Sequence, residues 1–81
     1  MYEFSLHSVE QISKRNITQE TVLWIIESAA TKMTEDDLAI FQNIIIEDEK
    51  EYLIRVFVNE DKTPALIVTA YKTSNIKKYR K

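Results

Sequence analysis

The chain has 81 residues with a formal net charge of −2, and it contains no cysteine, no glycine and a single histidine. That length makes one domain, and a composition 44% hydrophobic and 30% charged is that of a soluble globular protein rather than a disordered one. The missing cysteines exclude a disulfide framework and a thiolate zinc site, and the missing glycines exclude Gly-rich phosphate loops and dinucleotide fingerprints, so no cofactor is implied.

Met1 to Ser5 lacks the basic start and apolar run of a signal peptide. No stretch approaches the ~18–20 consecutive apolar residues of a membrane helix. A cytoplasmic protein with no membrane contact is the expectation.

Tyr2 to Leu6 reads equally as a short lead-in strand or an irregular segment. Ser8 to Arg15 carries Val9 and Ile12 at helical spacing, with Ser8 as the cap, and Asn16 closes that helix because asparagine tolerates the left-handed conformation. Thr18 caps a second helix, and Glu20 in its first turn complements the helix dipole. Val22, Ile25, Ile26 and Ala29 repeat at i, i+3, i+4 and i+7, the stripe of a helix lying on a core. Leu23 and Trp24 widen that stripe and predict cover on more than one side.

After Ala30 the pattern changes to strands. Thr34 to Asp37 reads as a polar turn, Leu38 to Ile46 as a first strand, and Glu47 to Lys50 as a four-residue hairpin connection. Tyr52 to Val58 is the second strand, Asn59 to Pro64 a second turn, and Ala65 to Thr73 the third strand. Helices first and an antiparallel meander afterwards predict an α+β domain: two N-terminal helices on a twisted antiparallel sheet of three to four strands.

Alternation sorts the two sheet faces. Tyr52, Ile54, Val56 and Val58 should lie under the helices, leaving Leu53, Arg55 and Phe57 on the other face. In the last strand Leu66, Val68 and Ala70 form the core set, and Ala65, Ile67, Thr69, Tyr71 and Thr73 the opposite one. Arg55 stands in mid-strand between apolar neighbours, where a charged group needs a partner or a ligand. A face mixing Arg55, Thr69 and Tyr71 with apolar residues is a candidate binding surface.

Charge is segregated as well. Seven acidic residues and one basic lie between Glu35 and Glu51, whereas five basic residues (Lys72, Lys77, Lys78, Arg80, Lys81) and no acidic one follow Tyr71. The basic end reads either as a solubilising tail or as a patch for a nucleic-acid backbone. His7 is the only side chain whose ordinary titration falls near neutrality. On spacing alone it reads more readily as a helix-start or surface residue than as a catalytic one.

The stretch Leu6-His7-Ser8 through Arg15-Asn16-Ile17-Thr18 resembles the opening of a bacterial family of small domains that begins His-Ala, runs through a short helix and reaches Arg-Gly-Ile-Ser. Ile67-Val68-Thr69-Ala70-Tyr71-Lys72-Thr73, followed by Lys77-Lys78-Tyr79, resembles that family's closing Thr-x-Tyr strand and basic tail. Ser8 replaces the alanine and Asn16 the glycine. The family is similar to the RelE/ParE-like toxins of the barnase, EndoU, colicin and RelE group of ribonuclease folds, although such toxins are generally strongly basic and this chain is not. The resemblance implies a RelE-like fold and metal-independent endoribonuclease chemistry in a toxin–antitoxin or related conflict system. A base would deprotonate the 2′-hydroxyl, cations would stabilise the attacked phosphate, and an acid would protonate the leaving oxygen.

The residues matching those motifs are His7 as acid/base, Arg15 as phosphate clamp, and Thr69 and Tyr71 as phosphate-positioning or proton-donating groups. Face alternation adds Arg55 as a clamp. Lys72, Lys77 and Lys78 would bind the RNA backbone. Expected partners are RNA, a cognate antitoxin protein and a like subunit. The alternative functions are a non-catalytic protein-binding module, or an RNA-binding module, of the same fold.

Overall fold

A computed structural model of the chain describes residues 2–29 and 32–78. Its elements run β1 (Tyr2–Phe4), α1 (Leu6–Lys14), α2 (Gln19–Ser28), β2 (Lys32–Glu35), β3 (Leu38–Glu47), β4 (Lys50–Asn59) and β5 (Ala65–Thr73), followed by a 3-10 turn over Ile76–Lys78. The α+β class agrees with the sequence reading. The sheet does not: it has five strands in the order β1-β5-β4-β3-β2, and the β1–β5 pair is parallel, so it is mixed rather than antiparallel throughout.

Helix α1 begins two residues before the expected start, because Ser5 and not Ser8 is its cap. The Ser5 hydroxyl oxygen accepts the Ser8 N–H at 3.0 Å while the Ser8 hydroxyl donates back to the Ser5 carbonyl at 2.7 Å, a reciprocal pair that leaves Ser8 buried. At the far end Asn16 takes φ 56°. The Asn16 N–H donates to the Ser13 carbonyl, and the Ile17 N–H donates to the Ile12 carbonyl at 2.9 Å. That is a Schellman closure, with the buried pair Ile12 and Ile17 as its hydrophobic clasp.

Helix α2 is capped by Thr18, which accepts the Thr21 N–H at 3.1 Å. It buries Val22, Ile25 and Ile26, but Leu23 and Trp24 face outward, so the helix is covered on one side only. No helix among the described residues is long and apolar enough to cross a membrane.

Two tight hairpins build the sheet without glycine. Asp36-Asp37 joins β2 to β3 and Asp48-Glu49 joins β3 to β4, with φ of 51°, 63°, 51° and 65° in turn. Positive φ at both central residues is the requirement of the mirror-image two-residue turns that match strand twist. Three of the four positions are aspartate, the residue after glycine and asparagine best suited to it. The turn expected over Thr34 to Asp37 is confined to Asp36-Asp37, and Thr34 and Glu35 belong instead to β2. Its four residues, Lys-Met-Thr-Glu, are all exposed on the sheet edge and carry no apolar alternation to betray them.

Both helices sit on one face. Val56, Ile54 and Val58 of β4, Ala39 and Phe41 of β3, and Ile67 and Ala70 of β5 close the core against Ile12, Val22, Ile25 and Ile26. The β4 alternation is as expected, but that of β5 is not. Its register slips between Phe57 and Val58, pairing Phe57 with Thr69 and Val58 with Ile67, so that Val68 is an extra residue in a bulge. Ile67, not Leu66 or Val68, therefore joins Ala70 in the core. Thr69 and Tyr71 keep the outward face assigned to them.

Candidate functional site

The face away from the helices is where the sequence-selected residues meet. Arg55 on β4 pairs with Tyr71 on β5 and with Gln42 on β3, and Phe57 pairs with Thr69 and Ile40. Cross-strand neighbours on one face lie within side-chain reach, and here they form a compact cluster. Arg55 Nη1 donates to the Tyr71 hydroxyl at 3.0 Å. Its guanidinium carbon lies 5.8 Å from the Phe57 ring centroid and 5.9 Å from that of Tyr71, and the two ring centroids are 5.9 Å apart with a 32° tilt. Cation–π contact and an aromatic pair thus hold the arginine stem flat on the sheet.

All four residues, Arg55, Phe57, Thr69 and Tyr71, are half-buried, and Ile40 and Leu53 on the same face are buried. Gln42 beside Arg55 has its Oε1 buried with no hydrogen-bond partner. Nothing in the sequence marked Gln42, because a glutamine in a strand has no spacing signature. Its register opposite Arg55 emerges only once β3 and β4 are aligned.

Other residues are elsewhere. His7 is exposed in the first turn of α1, on the helix side of the sheet. Arg15 caps the end of α1, and its Nη1 donates to the Ala70 carbonyl at 2.7 Å, tying the helix to β5. Lys72 emerges on the helix side too. It pairs with Glu47 at 3.1 Å and lies 5.0 Å from the Tyr52 ring centroid, with its side chain only 13% exposed. Lys77 is exposed beside a groove it shares with Lys50, Glu51 and Ile76. Lys78 ends the 3-10 turn and its side chain, like Tyr79, Arg80 and Lys81, lies outside the described residues.

Of the eight residues selected from sequence, Lys77 and Lys78 lie on the C-terminal 3-10 turn and the other six fall into two groups. Arg55, Thr69 and Tyr71 share one face, while His7, Arg15 and Lys72 stand on the other side of a sheet. Among the described residues, charge on the open face is sparse. Arg55 is its cation, and Glu3, Glu35 and Glu51 stand at its margins by strand register. Among the described residues no three His, Asp or Glu side chains group as metal ligands.

Compared with known proteins, the chain matches no family model, no curated protein and no solved structure.

Proposed function

We propose that this chain is a RelE-like domain that binds a protein partner through its open sheet face and does not cut RNA. Two N-terminal helices on one face of a sheet built around the β3-β4-β5 meander, together with the His7 to Thr18 and Ile67 to Thr73 motifs, support the fold part of this reading.

The observation that carries the functional part is the side of the sheet on which each group stands. Cleavage by 2′-hydroxyl attack needs a base, an acid and a cation around one phosphate. On the open face Arg55 and Tyr71 are together, but His7 belongs to α1, the helix packed through Ile12 against the opposite face, and Arg15 is committed to the Ala70 carbonyl. Among the described residues one guanidinium stands against three marginal carboxylates on this face, a balance that does not favour a phosphate backbone. Half-buried Phe57 and Tyr71 around an arginine, with Ile44 and Leu66 nearby on the face, have the makeup of a protein interface core. Within the toxin–antitoxin resemblance, the partner is an antitoxin segment.

Co-expression with the product of an adjacent small gene tests the reading. The two proteins should co-purify, and Arg55→Ala with Tyr71→Ala should abolish it. Cleavage of RNA by the purified chain in EDTA, lost on Tyr71→Phe, would overturn it.

A ribonuclease reading keeps one specific support, the Arg55–Tyr71 hydrogen bond beside Thr69. There Arg55 clamps the phosphate, Tyr71 protonates the leaving 5′-oxygen and solvent water takes the 2′-hydroxyl proton, and His7, Arg15 and Lys72 drop out of the mechanism.

A further inference from the structure

The long strand β3 is covered on its outer side for only part of its length. It pairs with β4 from Ala39 to Glu47, but β2 pairs with it only from Leu38 to Phe41. In a two-residue hairpin the flanking pair Glu47 and Lys50 is hydrogen-bonded, so Ile46 and Ile44, one and three residues back, turn their backbone groups away from β4. The Ile44 N–H shows this: it donates to the Asn43 Oδ1 at 2.8 Å instead of to a neighbouring strand. Among the described residues no strand pairs with the outer side of this segment, leaving the Ile44 carbonyl and both backbone groups of Ile46 facing outward.

The same place holds the most exposed apolar side chains of the sheet and of α2. Ile46 is 75% exposed and Trp24 47% exposed. Both line a groove of about 430 Å³ with Ile45, Glu20 and Glu47. The Asp48-Glu49 turn continues the negative rim, and the neighbouring Lys72 is occupied by Glu47.

We propose that this edge is a docking site for an extended segment of a partner protein that alternates basic and apolar residues. Its backbone would add a strand outside Ile44–Ile46. Its apolar side chains would cover Ile46, and its cations would meet Glu20 and the Trp24 ring, which a cation over its face stabilises. The charge complementarity selects this occupant: a second copy of β3 would bring no positive charge to the acidic rim.

Trp24 is the only tryptophan in the chain, so its emission reports on this groove alone. The probe is a nine-residue peptide of alternating lysine and valine, titrated into the full chain at low salt. A saturable change in Trp24 emission, weakened as salt screens the rim, is the expected result. A glutamate–valine peptide should give none. Ile46→Pro removes the outward N–H at an edge position where proline is tolerated, and should weaken binding about tenfold or more. Circular dichroism checks that this variant is folded, and Ile46→Lys, which repels the probe without altering the backbone, should weaken binding similarly. The proposal is overturned by no emission change at millimolar probe, by an equal response to the acidic peptide, or by unaltered binding in the folded Ile46 variants. Concentration-dependent dimerisation that shifts Trp24 emission without peptide would assign the edge to a second copy instead.

Discussion

Truncating two adjacent residues of β5 separates the bulged register from simple alternation. Ile67 is fully buried against the helices, whereas Val68, the extra residue of the bulge, is half-buried. Ile67→Ala removes three carbons, worth about 2.4 kcal/mol at about 0.8 kcal/mol per buried group. The cavity left in a closed core raises the cost to about 3–4 kcal/mol. Val68→Ala removes two carbons at roughly half burial, which comes to about 0.8 kcal/mol. A domain this size has about 4–12 kcal/mol of total stability, so the first change consumes a large part of it and the second does not. Urea unfolding followed by far-ultraviolet circular dichroism reads the difference. With a slope of about 1 kcal/mol per molar, the midpoint should fall by about 3 M for Ile67→Ala and about 1 M for Val68→Ala, the slope unchanged. A larger loss for Val68→Ala would refute the bulge and restore the uninterrupted alternation.

Glu49 holds φ 65° at a position where glycine or asparagine is favoured, so Glu49→Gly should stabilise the chain by up to about 1 kcal/mol, a rise of about 4–8 °C in Tm by thermal melt. Its side chain is exposed. Arg15→Ala removes the charge-assisted bond to the Ala70 carbonyl and should cost about 1–2 kcal/mol, seen as faster amide exchange across α1 while the β3–β4 amides stay protected.

How much of this was legible in the sequence depended on whether a local signal existed. The Val22-Ile25-Ile26 stripe, the Thr18 cap and the Asn16 closure each encode their structure within a few residues, and each is where periodicity and capping chemistry place it. The alternation of β4 likewise exposes Arg55 and Phe57 on the outer face. What escaped depends on long-range pairing. The stretch from Tyr2 was open between strand and irregular segment, and its parallel pairing with β5 decides it, while β2 is exposed throughout. Val68 is apolar in either register, so composition could not reveal the bulge that moves Ile67 into the core. The site divides in the same way. Arg55, Thr69 and Tyr71 come together through β4–β5 register, whereas the placement of His7 follows from which face the helices cover, a fact no motif contains.

That placement is the centre of the account, and a nuclear Overhauser spectrum of the folded chain tests it directly. Phe57 and Tyr71, with ring centroids 5.9 Å apart, should give ring-to-ring cross-peaks, and the His7 ring should give none to Tyr71. A His7–Tyr71 cross-peak would place the imidazole on the open face and contradict the separation on which the binding reading rests.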